Sequence, residues 1–311
     1  MKKKIALLVK CIKEPEWIVY YINRAGYGMF FSDKFFSKAM YKLFFKKRLS
    51  LTSPKTFNEK MQWLKLYDRN PIYTKMVDKY GSKQYVADAI GEKYVIPTIG
   101  VWDSADDIDF DSLPEQFVLK CTHDSGSILI CKAKKEIDIK KTKAFFESRL
   151  KRNYYKLWRE WPYKNVVPRI IAEPFLKDGD NEFLPVYKIM CFEGEPQIIQ
   201  TIQNDKQPNE SIDYFDVNWN LLDMKQNYPN SKVPFSKPAC LQEMIQLART
   251  LAEKTHFLRV DFYSVNDEVK FSEFTFYSDA GITKFTPFEW DNILGGMINI
   301  HGEEGNDARR M

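Results

Sequence analysis

The spacing of apolar residues changes character along the chain. Behind the capping-box pattern Thr56-Phe57-Asn58-Glu59, the apolar residues Phe57, Met61 and Leu64 recur at helical intervals, which predicts a helix over 57–67. Asp78 is placed to cap a second helix ending near Gly91, and a strand is expected near Tyr94–Pro97. The acidic stretch DSADDIDFDSLPEQ (103–116) reads as a surface loop. From Phe117 the period shortens to two. FVLKC (117–121) and SILIC (127–131) flank the loop THDSG (122–126), a hairpin pattern in which Gly126 is free to take positive φ. A basic stretch from Lys132 to Trp158 reads as helical, RIIAEPFL (169–176) as a strand, and PVYKIMCFEGEPQIIQTI (185–202) as a hairpin turning at Glu193-Gly194. In CLQEMIQLARTLAEKT (240–255), Leu241, Met244, Ile245, Ala248, Leu251 and Ala252 share one face, the mark of an amphipathic helix. The segment FLRVDFYSVNDEVKFSEFTFYSDAG (257–281) reads as a further hairpin with its loop at Asn266-Asp267-Glu268.

Composition narrows the class without naming it. The 311 residues are 44% hydrophobic and 29% charged, which fits a globular chain and excludes disordered or collagen-like classes. No apolar run approaches the roughly 20 residues that span a bilayer. A net charge of +5 is too mild and too interspersed to point to nucleic acid. Five widely spaced cysteines and three histidines give no zinc pattern and fit a reduced cytosolic compartment. The N-terminal apolar stretch, Ile5 to Val9, is too short for a signal peptide, so a cytoplasmic protein is expected. Residues 15–50 are aromatic and basic. They read as a helical layer packed on the body, and they would also suit peripheral contact with the inner membrane face or a lipid-linked acceptor.

Two hairpins carry candidate chemistry. In 257–276, the expected register sets Asp261 opposite Glu273 and Arg259 opposite Thr275, all on one face, while Val260, Phe262, Phe274 and Phe276 form the core face. Two opposed carboxylates within roughly 5 Å repel each other, so a cation between them is expected. An oxygen-only pair suits Mg²⁺ bound together with phosphates. A solvated polar face with Arg259 as an ordinary ion-pair partner fits the same spacing. In 117–131, Lys120 shares a face with Val118, Ile128 and Ile130, beside Ser125, Gly126 and Ser127. That places an ammonium where it would meet a phosphate, with loop N–H groups holding further oxygens. A snorkelling surface lysine is the competing reading. No Walker A motif is present.

These pieces, in this order, resemble the ATP-grasp superfamily, and more closely its teichuronopeptide-biosynthesis (TupA-like) branch among bacterial surface-polysaccharide enzymes. The strings that carry the resemblance are SPKTFNEKMQWLKLYD, DKYGSKQYV, LPEQFVLKCTHDSG, PRIIAEPFL, YKIMCFEGEPQIIQ and LRVDFYSVNDEVKFSEFTF, spread from Leu51 to Trp290. The resemblance implies an α+β ATP-grasp fold with an N-terminal helical segment (1–50), a small α/β part (51–116), a lid (117–168) and a C-terminal sheet part bearing the metal site (169–311). It implies ATP and Mg²⁺ as cofactors. Lys79 and Lys120 match the two phosphate-binding lysines, and His123 to Ser127, with Ser125 and Gly126, match the loop over the phosphates. Glu173 matches the hinge residue that reads adenine, with Phe175 and Leu176 beside it, and Asp180 or Glu182 the ribose contact. Asp261 and Glu273 match the metal carboxylates. Thr275 stands where many members carry Asn. Arg259 matches the arginine that steadies the transferring phosphate, and Lys188 a basic residue facing the reacting centre. Val186 replaces an aspartate usual in the branch, and Ser278-Asp279-Ala280-Gly281 replaces a more glycine- and serine-rich acceptor loop.

The implied activity is ATP-dependent ligation of a carboxylate to an amine through an acyl phosphate. By resemblance the carboxylate is a uronic acid of a capsular or cell-wall polysaccharide or its precursor, and the amine an amino acid or related compound. Glu160 and Tyr163, in REWPYKN, either shape the acceptor pocket or simply cap and pack. His256 reads as structural. Asp107-Ile108-Asp109 and Asp109-Phe110-Asp111 are D-x-D strings of the kind a sugar-nucleotide glycosyltransferase would use, the main competing function. A nucleotide-binding scaffold without turnover is a third.

Overall fold

A computed structural model describes residues 31–179, 184–203 and 209–300. In chain order come helices α1 (Asp33–Phe45), α2 (Phe57–Tyr67), α3 (Ile72–Val77) and α4 (Gly81–Ile90), then strands β1 (Gly100–Trp102), β2 (Phe117–Cys121) and β3 (Ile128–Cys131). Helices α5 (Ile139–Leu150) and α6 (Tyr155–Trp158) precede β4 (Ile170–Pro174), β5 (Val186–Phe192), β6 (Glu195–Gln203) and β7 (Ser211–Asp216). Helix α7 (Leu241–Ala252), strands β8 (Phe257–Val265) and β9 (Glu268–Thr275), and helix α8 (Glu289–Gly296) complete the described chain.

The strands form two antiparallel sheets. The smaller has the order β1-β4-β2-β3, the larger β7-β6-β5-β8-β9. Helix α7 covers the back of the larger sheet with the six apolar residues its spacing predicts, all buried. Its burial, with the inward faces of β5, β6 and β8, makes the main core. The smaller sheet has a core of its own, in which Phe117, Leu119 and Ile170 meet Phe146 of α5. Strand β4, at the start of the expected C-terminal sheet part, pairs instead within this smaller sheet, between β1 and β2.

Helix α2 ties residues 55–67 to residues 280–298. The capping box forms as expected, with Thr56 accepting from the Glu59 N–H and the Glu59 side chain accepting from the Thr56 N–H. Phe57 packs edge-on against Phe257, with ring centroids 5.2 Å apart. Asn58, fully buried, donates to the Thr283 carbonyl and to the Asp291 carboxylate, each at 2.9 Å, and accepts from the Thr283 N–H at 2.9 Å. Gly295 of α8 sits so close that a Cβ there would lie 2.2 Å from the Lys55 carbonyl oxygen.

Four local expectations need correction. Asp78 does not cap α4, whose cap residue is Tyr80. Asp78 instead ends α3, and its carboxylate accepts from the Tyr80 N–H at 3.1 Å. The strand expected at Tyr94–Pro97 is a 3₁₀ turn at Glu92–Tyr94 followed by extended chain, and the ladder starts at Gly100. The acidic stretch 103–116 is more than a surface loop, because Ala105, Ile108, Phe110 and Leu113 are buried in the small core while the acids between them face out. The stretch 132–158 is two helices, not one, with a break at 151–154. Of the aromatic-basic segment 15–50, residues 15–30 lie outside the described residues. Within the rest, α1 buries Phe36, Met40 and Tyr41.

Replacing Asn58 by Ala is expected to lower stability by about 2–4 kcal/mol, because it leaves the Thr283 N–H and the Thr283 carbonyl buried without their side-chain partner. Equilibrium urea unfolding of wild type and variant measures this.

Candidate active site

The hairpin β8–β9 places the acidic pair. The register sets Asp261 opposite Glu273 and Arg259 opposite Thr275. It then shifts between Asp261 and Phe262, where Ser272 is the extra residue of a bulge. Across the other edge of β8, Lys188 lies opposite Asp261, and Gln200 of β6 lies opposite Lys188. A row Gln200–Lys188–Asp261–Glu273 therefore crosses four strands on one face of the large sheet. Arg259 grips Asp261 in a fork, Nε to Oδ1 at 2.7 Å and the terminal nitrogen to Oδ2 at 2.8 Å. The same guanidinium lies 3.7 Å from Glu273, and Lys188 Nζ lies 3.4 Å from Asp261. Asp261 is buried, whereas the Glu273 side chain is 38% exposed and open to a ligand.

The smaller sheet supplies the opposing charges. Lys120 on β2 meets one oxygen of Glu173 on β4 at 2.6 Å, and Lys83 of α4 meets the other at 2.6 Å. Lys79 is fixed to the loop after β2: its N–H donates to the Thr122 carbonyl at 3.1 Å and its ammonium to the Asp124 carbonyl. In that loop Gly126 has φ +86°, as the spacing predicts, and Ser125 and Gly126 are exposed. Ser127 is buried and donates to Asp124. His123 turns inward, with Nε2 3.2 Å from the Arg149 carbonyl of α5. Phe175 and Leu176 are half-buried just beyond β4. Asp180 and Glu182 lie outside the described residues.

The two sheets act on each other electrostatically. Desolvation alone would push the Glu273 carboxyl up; Lys79, Lys188, Arg259 and Lys120 together override it and hold it below the usual carboxylate range. Lys120 lies on the smaller sheet and Lys79 is bound to the loop after β2, so both charges reach Glu273 from outside the large sheet. Burial likewise opposes ionisation of Glu173, yet Lys120 and then Lys83 hold its carboxyl low. Five cations, Lys79, Lys83, Lys120, Lys188 and Arg259, thus gather around three carboxylates, Glu173, Asp261 and Glu273. The excess of positive charge, beside exposed loop N–H groups and an open carboxylate pair, suits a polyphosphate.

The model for the family described as TupA-like ATPgrasp matches residues 59–299. The chain belongs to that family. With it stands the expected α+β ATP-grasp fold. No curated protein matches the sequence. Among solved structures, the chain is similar to a D-alanine–D-alanine ligase from Helicobacter pylori, at 16% identity and a TM-score of 0.42 over 80% of this chain and 70% of that one. It is also similar to a D-alanine–D-alanine ligase from Bacillus anthracis complexed with ATP, at 13% identity and a TM-score of 0.38 over 65% of this chain. The chain spans 54% of that ligase's length. The D-cycloserine synthetase DcsG is matched at 14% identity and a TM-score of 0.40, over 73% of this chain and 70% of that one.

Several site neighbours carry no signal in the sequence. Lys83 has no local signal, since its partner Glu173 is distant along the chain and only folding brings them together. Gln62 and Lys65 of α2 reach the 278–281 loop, donating to the Ala280 and Gly281 carbonyls. His256 pairs with Glu193 at 3.0 Å on the surface, in line with a structural role. The D-x-D acids Asp107, Asp109 and Asp111 are exposed on the outside of the small core, and Asp109 accepts from the Asp111 N–H at 3.0 Å.

Because the Glu173 carboxyl is held below its unfolded value, its stabilising contribution is fully present above a pH of about 4.3 and is lost as pH falls through the folded value. Glu173→Gln is expected to lose about 3 kcal/mol at pH 7, since two buried ammonium groups lose their partner. The gap between wild type and variant should close as the pH drops below about 4. Urea unfolding at a series of pH values checks both the size and the direction.

Proposed function

We propose that this protein is an ATP- and Mg²⁺-dependent carboxylate–amine ligase that works through an acyl phosphate. The substrates we assign are a uronic acid of a capsular or cell-wall polysaccharide or its precursor, and an amino acid or related amine. The observation that carries the reading is the row Lys188–Asp261–Glu273 with Arg259, which the charges of Lys79 and Lys120 reach from outside the large sheet.

In this reading the ATP phosphates lie between the sheets, held by Lys79, Lys120 and the 123–127 loop. Glu173, Phe175 and Leu176 border the adenine, and Asp180 or Glu182 meets the ribose. The hard oxygen donors of Asp261 and Glu273, opposed across one hairpin with Glu273 still open, fit Mg²⁺, with Thr275 at the edge of the pair. When bound there, Mg²⁺ supplies charge neutralisation for the β- and γ-phosphates. The chain's own residues do the rest. Arg259 and Lys188 stand where negative charge grows on the transferring phosphoryl group and stabilise it. The carboxylate substrate attacks the γ-phosphorus, ADP leaves, and an amine then displaces phosphate from the acyl carbon.

The division into an N-terminal helical segment, a small α/β part, a lid and a sheet part belongs to the same proposal. So does peripheral contact with the membrane face through residues 15–50, for which Phe31 and Phe35, 53% and 56% exposed and stacked at 5.0 Å, are the described support.

Calorimetric titration with a non-hydrolysable ATP analogue tests the reading. Wild type is expected to bind more tightly with Mg²⁺ than without. Glu273→Ala should abolish that difference, and Lys120→Ala should weaken binding about tenfold or more through loss of a buried charge-assisted contact. Binding of a UDP-sugar in place of the ATP analogue would overturn the ligase in favour of a glycosyltransferase.

A further inference from the structure

Arg259 feels two acidic groups that take no part in the phosphate cradle, Glu160 and Asp279. They arrive from distant parts of the chain and are brought together by one lysine. Lys65, buried in α2, donates to the Trp158 carbonyl at 3.2 Å and to the Ala280 carbonyl at 2.8 Å. The first lies two residues before Glu160, the second beside Asp279. Gln62 adds donations to the Ala280 and Gly281 carbonyls at 3.0 and 2.8 Å. The run Asp279-Ala280-Gly281, at φ +47°, +56° and +66°, is thus held from beneath and leaves Asp279 exposed.

Glu160 is 6% exposed, and among the described residues its carboxylate accepts no hydrogen bond and makes no ion pair. A carboxylate so placed is costly unless something pairs with it. Three buried aromatic residues lie within its electrostatic reach: Tyr154 and Tyr163, which meet edge-to-face at 4.8 Å, and Tyr277. Burial, with Glu160 next in order for Tyr154 and Tyr163, holds all three phenols well above their ordinary value, so none competes for a proton. Burial first, and Asp279 after it, push the Glu160 carboxyl up to about 7 against Lys65 and Arg259, and Asp33 acts on the same Lys65.

We propose that Glu160 and Asp279 form the amine subsite of the ligase, with Glu160 as the base that accepts the ammonium proton; this rests on the ligase reading above. The substrate enters as an ammonium ion and is drawn to the acidic pair beside Arg259. Glu160 takes one proton from nitrogen. The nitrogen lone pair attacks the acyl carbon, the C–N bond forms, and the bond from carbon to phosphate oxygen breaks. The second nitrogen proton leaves with the phosphate as hydrogen phosphate, and Glu160 returns its proton to solvent. A base whose pKa lies near the working pH suits this step.

The test separates acylation from amine attack. Full-length protein is given ATP, Mg²⁺ and glucuronic or galacturonic acid, free or as the UDP-sugar, with either hydroxylamine or an amino acid (glycine, L-glutamate or L-lysine). Hydroxylamine is already largely neutral at pH 7.5 and needs no base. Wild type is expected to form both hydroxamate and amide, the amide rate rising with pH through about 7. Glu160→Gln should keep hydroxamate formation within about threefold and lose amide formation by about 100-fold. Asp279→Asn should raise the KM for the amino acid with little change in kcat. Amide formation retained in Glu160→Gln overturns the base assignment. Loss of both products in Glu160→Gln and Glu160→Asp also overturns it, in favour of a structural role. Hydroxamate without amide in wild type overturns the amine subsite. No hydroxamate from wild type overturns the ligase reading itself, and the subsite falls with it.

Discussion

The pairing of Asp261 with Glu273 hangs on one extra residue. The Asn266-Asp267 turn, with φ +51° and +64°, suits a two-residue hairpin and sets the register from Val265↔Glu268 to Phe262↔Phe271. Continued unbroken, that register would bring Ser272 opposite Asp261 and turn Glu273 into the core. The bulge at Ser272 absorbs the mismatch. On the turn side of it Val269 and Phe271 point to the core; beyond it Phe274 and Phe276 do, and Phe271 and Phe274 meet with centroids 4.5 Å apart. A side-chain period of two leaves no other way to satisfy both the turn and the core while keeping two carboxylates face to face.

That arrangement is electrostatically expensive by itself, and the surrounding structure follows from the need to offset it. Arg259 is two residues before Asp261 on the same face, so its fork closes on Asp261 without leaving the strand. Lys188 comes from the next strand over. The remaining positive charge comes from outside the sheet, through Lys79 at the junction of α3 and α4 and through Lys120 on β2. Both are themselves anchored, the first by the 122–124 backbone and the second by Glu173. Neutralisation of the acidic pair in one sheet is thereby coupled to the position of the other sheet.

Much of this was readable from local sequence. The α2 capping box, the α7 face and the Glu193-Gly194 turn rest on periods and turn residues that act over a few positions; the expected loop Asn266-Asp267-Glu268 is one residue too long, since Glu268 pairs with Val265, and the bulge at Ser272 restores the facing of Asp261 and Glu273. The features that escaped are non-local. The carboxylate of Asp78 had an alternative partner in the Tyr80 N–H, which no helix-start rule anticipates. Phe110 and Leu113 looked like loop residues among acids until β2 and α5 supplied a core for them. Lys83 and Gln200 acquire meaning only through Glu173 and Lys188, residues on other elements. The ligand roles themselves came through resemblance to a family rather than through spacing, because opposed carboxylates beside an arginine are also what an ordinary polar sheet face contains.

The shared carboxylate of Glu173 has a mechanical side. Lys83 belongs to α4, which is fastened to the large sheet through Tyr85 against Phe274, with rings 5.9 Å apart, and through α7. Glu173 and Lys120 belong to the small sheet. The ion pair between Lys83 and Glu173 is therefore a pin through two bodies. Pulling the small sheet straight away would separate opposite charges in a poorly polarisable interior, whereas rotating it about Glu173 leaves both ammonium groups in contact. The Lys79 contacts to Thr122 and Asp124 fasten the junction of α3 and α4 to the loop beside Ser125 and Gly126, so the small sheet is pinned at a second point and the Glu173 pair does not act alone.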